Sequence, residues 1–295
     1  MSHSETPSYH RRAVIGNASN FWPHSTRTAF GLTHPSSPTA TEPSPRLRFN
    51  TTTTPTTLSP AKTTLVIIDM HNFFLSPSFG RAEGAGHAAM EKLLQFAIPV
   101  AQKAGIRIVW LNWGLTDEEV HNMPLAVKRA FGLEAIAEAI EEASNGATNE
   151  DPFVEKANGI GVDKHGGVRF HGGRALLENG KDGRIYKGLG SPYGPVTLPF
   201  RETLDTGRLL MRDTWNEALY PPLDSVFEEG PKLMDEPDVW IHKNRMSGMR
   251  GGSTMCEEFF DDHGIRSLLF ASVNIDQCVS GTLRMPLTRT MVAFY

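Results

Sequence analysis

The stretch that decides the fold is TLVIID, residues 64–69. Its apolar run is rich in β-branched side chains and does not alternate with polar ones, which is typical of a strand buried on both faces. Such a strand belongs to a parallel sheet that helices cover on both sides. The run ends in a carboxylate, Asp69, and ligand sites of open α/β sheets lie at that edge.

Two further strands lead into residues with reactive side chains. Residues 239–243 form a short apolar strand that ends in Lys243, and residues 267–273 form a buried strand followed by a turn that carries Cys278. Because the carboxyl ends of parallel strands meet at one edge, we expect these residues to lie close to Asp69. The sequence therefore predicts an α/β fold of three α-β-α layers with a mostly parallel, Rossmann-like central sheet.

The segments between the strands predict the helices. Helices are expected over residues 87–104, 117–143 and 253–263, and a strand over 106–110 completes a βαβ unit. The first helix should kink at Pro99. Its apolar stripe would consist of Ala89, Leu93, Phe96 and Val100.

The two ends of the chain differ in composition from its middle. Residues 1–60 are rich in Ser, Thr and Pro, which predicts a disordered tail, with a transit peptide as the alternative. The folded domain would span 61–283, with an irregular insertion at about 144–212. Pro286 should end the helix after Cys278 within about two turns. Residues 284–295 would then form an aberrant C-terminal tail.

Composition excludes several functional classes. The net charge of -4 and the absence of basic runs argue against nucleic acid as a partner, and no apolar run approaches the roughly 20 residues of a membrane span. Two cysteines, Cys256 and Cys278, cannot build a disulfide framework, which favours a reducing, cytoplasmic location. No residues show the spacing of metal ligands, so neither a metal nor another cofactor is expected.

The three strand-end residues fit nucleophilic catalysis. A thiol is mostly protonated at neutral pH, so a nucleophilic cysteine needs a positive field and a base. A helix N-terminus and the ammonium of Lys243 would supply the field and hold Cys278 as a thiolate. Asp69 would be the base that later protonates the leaving amine.

Three motifs carry a family resemblance. They are LVIIDMHNFF at residues 65–74, HKNRMSG at 242–248 and VNIDQCV at 273–279. In this order they resemble the aspartate, lysine and nucleophile motifs of the isochorismatase-like cysteine hydrolases. The resemblance implies that fold and a catalytic triad of Asp69, Lys243 and Cys278. Because members of the family continue past the cysteine with a further strand and helices, it also implies that the last strand and its helices are missing here.

The same resemblance assigns further roles. The backbone amides of Asn274 and Cys278 would form an oxyanion hole, next to a cis bond between Val273 and Asn274. His71 stands where the family usually has Gln. Core packing is an equal alternative for the two tryptophans among the candidate substrate-binding residues, which are His71, Phe74, Trp113 and Trp215.

The resemblance implies a metal-independent amidohydrolase. It would cleave a C–N bond of a small amide or ureido substrate through an acyl-enzyme. The vinyl ether of isochorismate is the other substrate type of the family, but members that act on it lack the cysteine. The alternative is an inactive truncated form or a non-catalytic partner subunit, and because relatives commonly associate, a homo-oligomer is also an expectation. The sequence does not identify the substrate.

Overall fold

The computed structural model of the protein describes most of the chain. The described residues are 10–136, 157–162, 170–171, 174–176, 182–183, 187–233, 237–249, 254–273, 275–284 and 292–294. None of the helices within these ranges is both long and apolar enough to cross a membrane.

The strands of the described residues fall into five sheets. Their bounds are β1 (Arg12–Asn17), β2 (Asn20–Ser25), β3 (Ala29–Leu32), β4 (Leu47–Phe49), β5 (Thr56–Leu58), β6 (Thr63–Ile68), β7 (Arg107–Trp113), β8 (Leu133–Ile136), β9 (Ala157–Val162), β10 (Phe170–His171), β11 (Arg174–Leu176), β12 (Asp182–Gly183), β13 (Pro195–Thr197), β14 (Thr203–Asp205), β15 (Val239–Lys243), β16 (Ser267–Ser272) and β17 (Val292–Phe294).

The α-helices are α1 (Asn72–Leu75), α2 (Ala85–Lys92), α3 (Ile98–Ala104), α4 (Asp117–His121), α5 (Leu125–Arg129), α6 (Leu223–Leu233), α7 (Met255–Asp262) and α8 (Ser280–Leu283). The π-helical segments Leu93–Ala97 and Ile275–Val279 run directly into α3 and α8. Short 3-10 turns occupy Pro60–Lys62 and Pro77–Phe79.

The central sheet has the strand order β15-β7-β6-β16-β17. All of its neighbouring strands pair in parallel, as the apolar run of β6 predicted. The carboxyl ends of β6, β15 and β16 therefore reach the same edge of the sheet. Asp69 follows the first of these strands, Lys243 ends the second, and the turn to Cys278 follows the third.

Side chains of β6 alternate between two hydrophobic clusters. Val66 and Ile68 join the cluster that contains α7, whereas Leu65 and Ile67 join the cluster that contains α2 and α3. All four side chains are buried, which is why the strand reads as an unbroken apolar run. The predicted three-layer α/β architecture is confirmed.

The helix predicted over 87–104 contains a π-helical segment that changes its apolar stripe. Leu93–Ala97 is π-helical and runs directly into α3, whose second residue is Pro99. A π turn inserts extra chain and rotates the residues after it about the helix axis. Consequently Phe96 and Val100, predicted to be buried, are each 52% exposed, and Ile98 and Ala101 face the core.

The N-terminal segment is structured from residue 10 onward, contrary to the prediction of a disordered tail. β1 to β5 form a five-stranded sheet in the order β1-β2-β3-β5-β4. Three apolar side chains anchor it: Phe21, Leu32 and Leu58 are all buried. Thr, although polar, is β-branched and suits strands, so a Thr-rich composition did not distinguish a sheet from disorder.

The prediction of one helix over 117–143 is wrong. The chain forms the short helices α4 and α5, separated at Pro124, and then enters strand β8 after Gly132. Gly132 has φ +87°, a left-handed conformation that ends the helical path. Residues 137–143 and part of the predicted insertion lie outside the described residues, and β9 to β14 show that the insertion contains short strands.

The edge of the sheet beside β16 carries a strand that the sequence predicted to be missing. β17 pairs in parallel with Ser267, Leu268 and Leu269. Beyond that pairing, Phe270, Ala271 and Ser272 line an apolar cavity of about 490 Å³ against the helix that contains Phe96.

The helix around residues 253–263 agrees with its prediction except at its cap. α7 begins at Met255 with Thr254 as N-cap, and the Thr254 hydroxyl accepts the N–H of Glu257. The Glu257 carboxylate accepts the N–H of Thr254 in return, which completes a capping box. Ser253, the predicted cap, lies outside the described residues.

Candidate active site

Asp69 occupies a strained position at the end of β6. Its φ is +57°, which is uncommon for a residue with a side chain and clusters at functional sites. Its backbone N–H is held by the carbonyl of Leu111 at 3.3 Å and by Oδ1 of Asn112 at 3.2 Å. This conformation fixes the fully buried carboxylate at the carboxyl edge of the sheet.

Lys243 has its ammonium fully engaged at that edge. Nζ lies 3.0 Å from Oδ2 of Asp69, donates to the carbonyl of Arg245 at 3.3 Å, and lies 3.6 Å from Sγ of Cys278. It also sits 4.2 Å from the ring centroid of Trp113, within cation–π range. The buried ammonium thus has a carboxylate as its ion-pair partner and donates to a carbonyl and to a sulfur.

Cys278 lies in the π-helical segment that follows β16 and is 2% exposed. Its sulfur lies 3.6 Å from Nζ of Lys243, and the charge of the Asp69 carboxylate acts on the thiol. The structure thus brings together the three residues that the sequence predicted to share a site. They come from three separate strand ends, as the parallel sheet requires.

The surroundings of the site shift the pKa values of its two acidic groups, the Asp69 carboxyl and the Cys278 thiol, in opposite directions. Burial acts to raise the pKa of the Asp69 carboxyl, but the charge of Lys243 and the contact with His71 outweigh it, and the pKa falls to about 2. Burial raises the pKa of the Cys278 thiol to about 12, and the Asp69 charge adds to that rise. The resting pair is therefore a carboxylate beside a neutral thiol.

This arrangement corrects the expectation that Lys243 holds Cys278 as a thiolate. The ammonium does lower the pKa of the thiol, but burial and the nearby carboxylate act more strongly in the opposite direction. Lys243 is itself closer to Asp69 than to the sulfur. The ion pair of the resting site is thus Asp69 with Lys243.

The predicted substrate-binding residues divide into two groups. Trp113 lies under the Lys243 ammonium, and His71 lies 3.3 Å from the Asp69 carboxylate, with both side chains fully buried. Phe74 has its ring 5.9 Å from that of His71. Trp215 stacks on Phe79, and Trp113 is a buried member of the same hydrophobic cluster, so the packing alternative applies to both tryptophans.

The predicted oxyanion hole is described only in part. Asn274 and its bond to Val273 lie outside the described residues, so the expected cis bond stays a prediction. Cys278 is the fourth residue of a helical run that begins at Ile275. The first N–H groups of such a run have no partner within the helix.

A hydroxyl that the sequence did not single out joins two parts of the site. Oγ1 of Thr282 donates to the carbonyl of Cys278 at 2.7 Å and accepts the N–H of Gly248 at 3.1 Å. It therefore ties the nucleophile helix to the loop that follows Lys243. The spacing of four residues from Cys278 was the available signal, because residues i and i+4 are neighbours on a helix.

Glu119 also joins two segments, the start of α4 and the residue after Lys243. It accepts the N–H of Thr116 in a capping box at the start of α4. Its other carboxylate oxygen accepts from Nδ2 of Asn244 at 2.8 Å, directly after Lys243. The motif Thr-x-x-Glu could have been found in the sequence, but its partner 125 residues away could not.

Within the described part of the chain, no group of three or more His, Cys, Asp or Glu side chains is placed to hold a metal ion.

Comparisons with known proteins give partial matches to solved structures. No family model matches the chain, and no curated protein matches it. The nicotinamidase of Bacillus subtilis is 13% identical with a TM-score of 0.42, and the match covers 79% of this chain and 82% of that one. An isochorismatase family protein from Desulfovibrio vulgaris is 14% identical with a TM-score of 0.39, over 78% of this chain and 77% of that one.

A cysteine hydrolase from Pseudomonas syringae pv. phaseolicola is a further match. It is 12% identical with a TM-score of 0.37, and the match covers 79% of this chain and 70% of that one. The chain is thus similar to isochorismatase-like cysteine hydrolases and nicotinamidases, the group that its three motifs resemble. Likeness of this degree does not reveal an activity.

Proposed function

We propose that the protein is an isochorismatase-like cysteine hydrolase that cleaves a C–N bond of a small amide or ureido compound through an acyl-enzyme. The observation that carries the proposal is the buried cluster of Asp69, Lys243 and Cys278, in which Nζ lies 3.0 Å from Oδ2 and 3.6 Å from Sγ. A carboxylate, an ammonium and a thiol in mutual contact, at the ligand-binding edge of a parallel sheet, form a nucleophile with its base.

The first step joins the sulfur to the substrate carbonyl. Burial and the Asp69 charge raise the pKa of the Cys278 thiol to about 12, so the resting thiol is protonated at pH 7. The proton therefore moves from Sγ to Asp69 as the C–S bond forms, rather than before it. The carbonyl π electrons move onto oxygen, where the N–H of Cys278 and a neighbouring turn amide would stabilise the oxyanion.

The second step expels the amine. The oxyanion re-forms the carbonyl, the C–N bond breaks, and the proton on Asp69 passes to the leaving nitrogen. A thioester to Cys278 remains, and Asp69 is again a carboxylate. Its low pKa favours this return, because Lys243 stabilises the ionised form.

Water completes the cycle. Asp69 takes a proton from water as the oxygen attacks the thioester, and then returns that proton to the departing sulfur. The acid leaves, Cys278 is again a thiol, and the net reaction is amide plus water to acid plus amine. Lys243 keeps the carboxylate in place throughout and offsets its charge within the buried site.

The nucleophile and the relatives together indicate the substrate class. A thiol forms a thioester from an acyl group, which suits amides and ureido compounds rather than a vinyl ether. One similar structure is named a nicotinamidase, so nicotinamide is the first amide to offer.

The test measures ammonia release from nicotinamide and from N-carbamoylglycine, a ureido acid. We expect turnover of at least one, and a loss of at least about 1,000-fold in Cys278→Ala. Cys256→Ala is the matched control, because it removes the other buried thiol and should keep activity within about threefold. Acid quenching should leave an acyl adduct on the peptide that contains Cys278. Full turnover by Cys278→Ala would refute the proposal.

A non-catalytic protein is the second candidate. The observation that favours it is the burial of Cys278, which is 2% exposed and has a pKa raised to about 12. In that case neither amide is hydrolysed and the quenched protein carries no acyl group. Both outcomes come from the same experiment.

A further inference from the structure

Trp113, the last residue of β7, contacts both charged residues of the site. Its backbone N–H donates to Oδ1 of Asp69 at 3.1 Å and to Nε2 of His71 at 3.2 Å. Its ring centroid lies 4.2 Å from Nζ of Lys243, and the side chain is fully buried. The indole is therefore fixed at the carboxyl edge of the sheet from its backbone and from its ring face.

The indole N–H of Trp113 has no acceptor in the resting site. Nε1 is buried and has no hydrogen-bond partner among the described residues. Trp110, on the same strand, donates from Nε1 to Asp238 at 3.1 Å, and Trp240, on the adjacent strand, donates to His242 at 3.2 Å. A buried indole N–H usually finds a partner, because leaving it unpaired costs free energy. Packing thus explains the ring of Trp113 but not its N–H.

The sulfur of Cys278 is the acceptor that the reaction would supply. Nζ of Lys243 lies close to both groups, 4.2 Å from the ring centroid of Trp113 and 3.6 Å from Sγ. A neutral thiol is a weak acceptor, whereas hydrogen bonds to an ionised acceptor are strong. Burial and the Asp69 charge raise the pKa of the thiol, and the Lys243 charge and the Trp113 side chain lower it. The effect of Trp113 has the sign of a donor that favours the thiolate.

We propose that Trp113 is a catalytic residue whose indole N–H donates to Sγ of Cys278 whenever the sulfur carries negative charge. Its effect on turnover rests on the proposed function. Charge builds up on sulfur as its proton leaves for Asp69 and the C–S bond forms, and again as the C–S bond of the thioester breaks. The indole keeps its own proton in both steps. This role differs from the substrate contact that the sequence predicted for Trp113.

The first test measures thiol reactivity and needs no substrate. Below the pKa of a thiol, its alkylation rate follows the fraction present as thiolate. Trp113→Phe keeps an aromatic face for Lys243 but removes the N–H, so alkylation of Cys278 by iodoacetamide between about pH 8 and 10 should slow about fivefold. Mass spectrometry of the Cys278 peptide would follow the reaction. The Cys256 peptide is the internal reference, and its rate should stay within about twofold.

An isostere separates loss of the donor from altered packing. Benzothienylalanine at position 113 has the size and shape of tryptophan but carries sulfur in place of the indole N–H. It should slow the alkylation of Cys278 as much as Trp113→Phe does. A rate within about twofold of the wild-type rate in this variant overturns the proposal, because any slowing in Trp113→Phe then comes from the smaller ring.

Trp110→Phe is the matched control. It also removes a fully buried indole N–H from β7, but that N–H donates to Asp238, the residue before β15. The alkylation rate of Cys278 should stay within about twofold of the wild-type rate. Equal slowing in the two phenylalanine variants would show that the packing of β7 sets the rate, and it would overturn the proposal.

A turnover test separates a transition-state contact from substrate binding. With an amide that the wild-type protein hydrolyses, Trp113→Phe should lower kcat about tenfold and leave KM within about threefold. A defect in KM alone indicates a substrate contact and overturns the proposal. If Cys278→Ala stays active, the proposed function fails, and alkylation still decides whether the N–H favours the thiolate. If Cys278→Ala is inactive but Trp113→Phe keeps its kcat, only the role of Trp113 fails.

Discussion

The two buried cysteines of this protein differ in their neighbours and hardly at all in their burial. Cys256 and Cys278 are 1% and 2% exposed and belong to the same hydrophobic cluster on one face of the central sheet. Burial raises the pKa of both thiols. What separates them is location: Cys278 lies at the carboxyl edge of the sheet beside Asp69 and Lys243, whereas Cys256 lies in the first turn of α7 beside Glu257.

The comparison teaches that burial does not define a functional cysteine. A thiol in a hydrophobic core is an ordinary packing group, and so is Cys256. Under the proposed function, Cys278 becomes reactive because two other strand ends place the Lys243 ammonium and its ion-pair partner Asp69 beside it. The differences expected between the two regions can be measured, and the largest concerns the ion pair.

Lys243→Met should destabilise the protein by about 3–5 kcal/mol, because it leaves the buried Asp69 carboxylate without its cation. Urea unfolding would measure this. The double variant with Asp69→Leu should recover most of the loss, because both charges are then gone. Lys103→Met, at an exposed site on α3, should change stability by less than about 0.5 kcal/mol. A single variant as stable as this control would show that the pair is not buried as described.

Asp69 should make stability depend on pH in the acid range. Its folded pKa of about 2 lies below the unfolded value, so its contribution is complete above about pH 4 and is lost as pH falls toward 2. This contribution to the free energy of unfolding is about 2 kcal/mol. In Asp69→Asn, stability should lose this dependence on pH when urea unfolding is measured between about pH 2 and 5.

Asp238, at the other end of β15, should behave in the opposite way. Burial raises its pKa, so its contribution is present below the unfolded pKa and is lost as pH rises through the folded one. Asp238→Asn should therefore stabilise the protein relative to wild type above that range. Equal pH profiles for the two asparagine variants would contradict this difference in sign.

Thr282→Val should have the smallest effect on stability, about 1 kcal/mol, through loss of the link between Cys278 and Gly248. Thr254→Val removes the N-cap of α7 near Cys256 and should cost about the same. Only the first should lower kcat, by about tenfold, because only it moves the nucleophile helix. Thermal unfolding would measure the effect on stability, and ammonia release would measure the effect on kcat. Equal kcat values for Thr282→Val and Thr254→Val would contradict the expected difference between the surroundings of Cys278 and Cys256.

The sheet and the site edge could be predicted because their signals are local. The apolar run before Asp69 indicated a strand covered on both faces, and parallel strands bring their carboxyl ends together. Strand β15 was predicted with its observed bounds. A parallel sheet brings the carboxyl ends of its strands to one edge, so the strand positions alone predicted that Asp69, Lys243 and Cys278 lie close together.

The rest could not be predicted, because it depends on contacts between distant segments or on backbone detail. The protonation of Cys278 depends on how deeply the thiol is buried. The contact of His71 with Glu217 joins residues 146 positions apart. The N-terminal sheet rests on three buried apolar side chains within a Ser- and Thr-rich stretch, which is too sparse a pattern to recognise.

The π-helical segment Leu93–Ala97 gives one helix two apolar stripes that are out of phase. A regular α-helix would turn Phe96 and Val100 inward, whereas the wider turn presents Ile98 and Ala101 and leaves the first pair 52% exposed. Both stripes are apolar enough to pack on a sheet, and successive residues of a helix differ in direction by about 100°. One π-helical turn decides which of the two stripes faces the core. The composition of this segment therefore predicts that a helix forms but not which of its faces is buried.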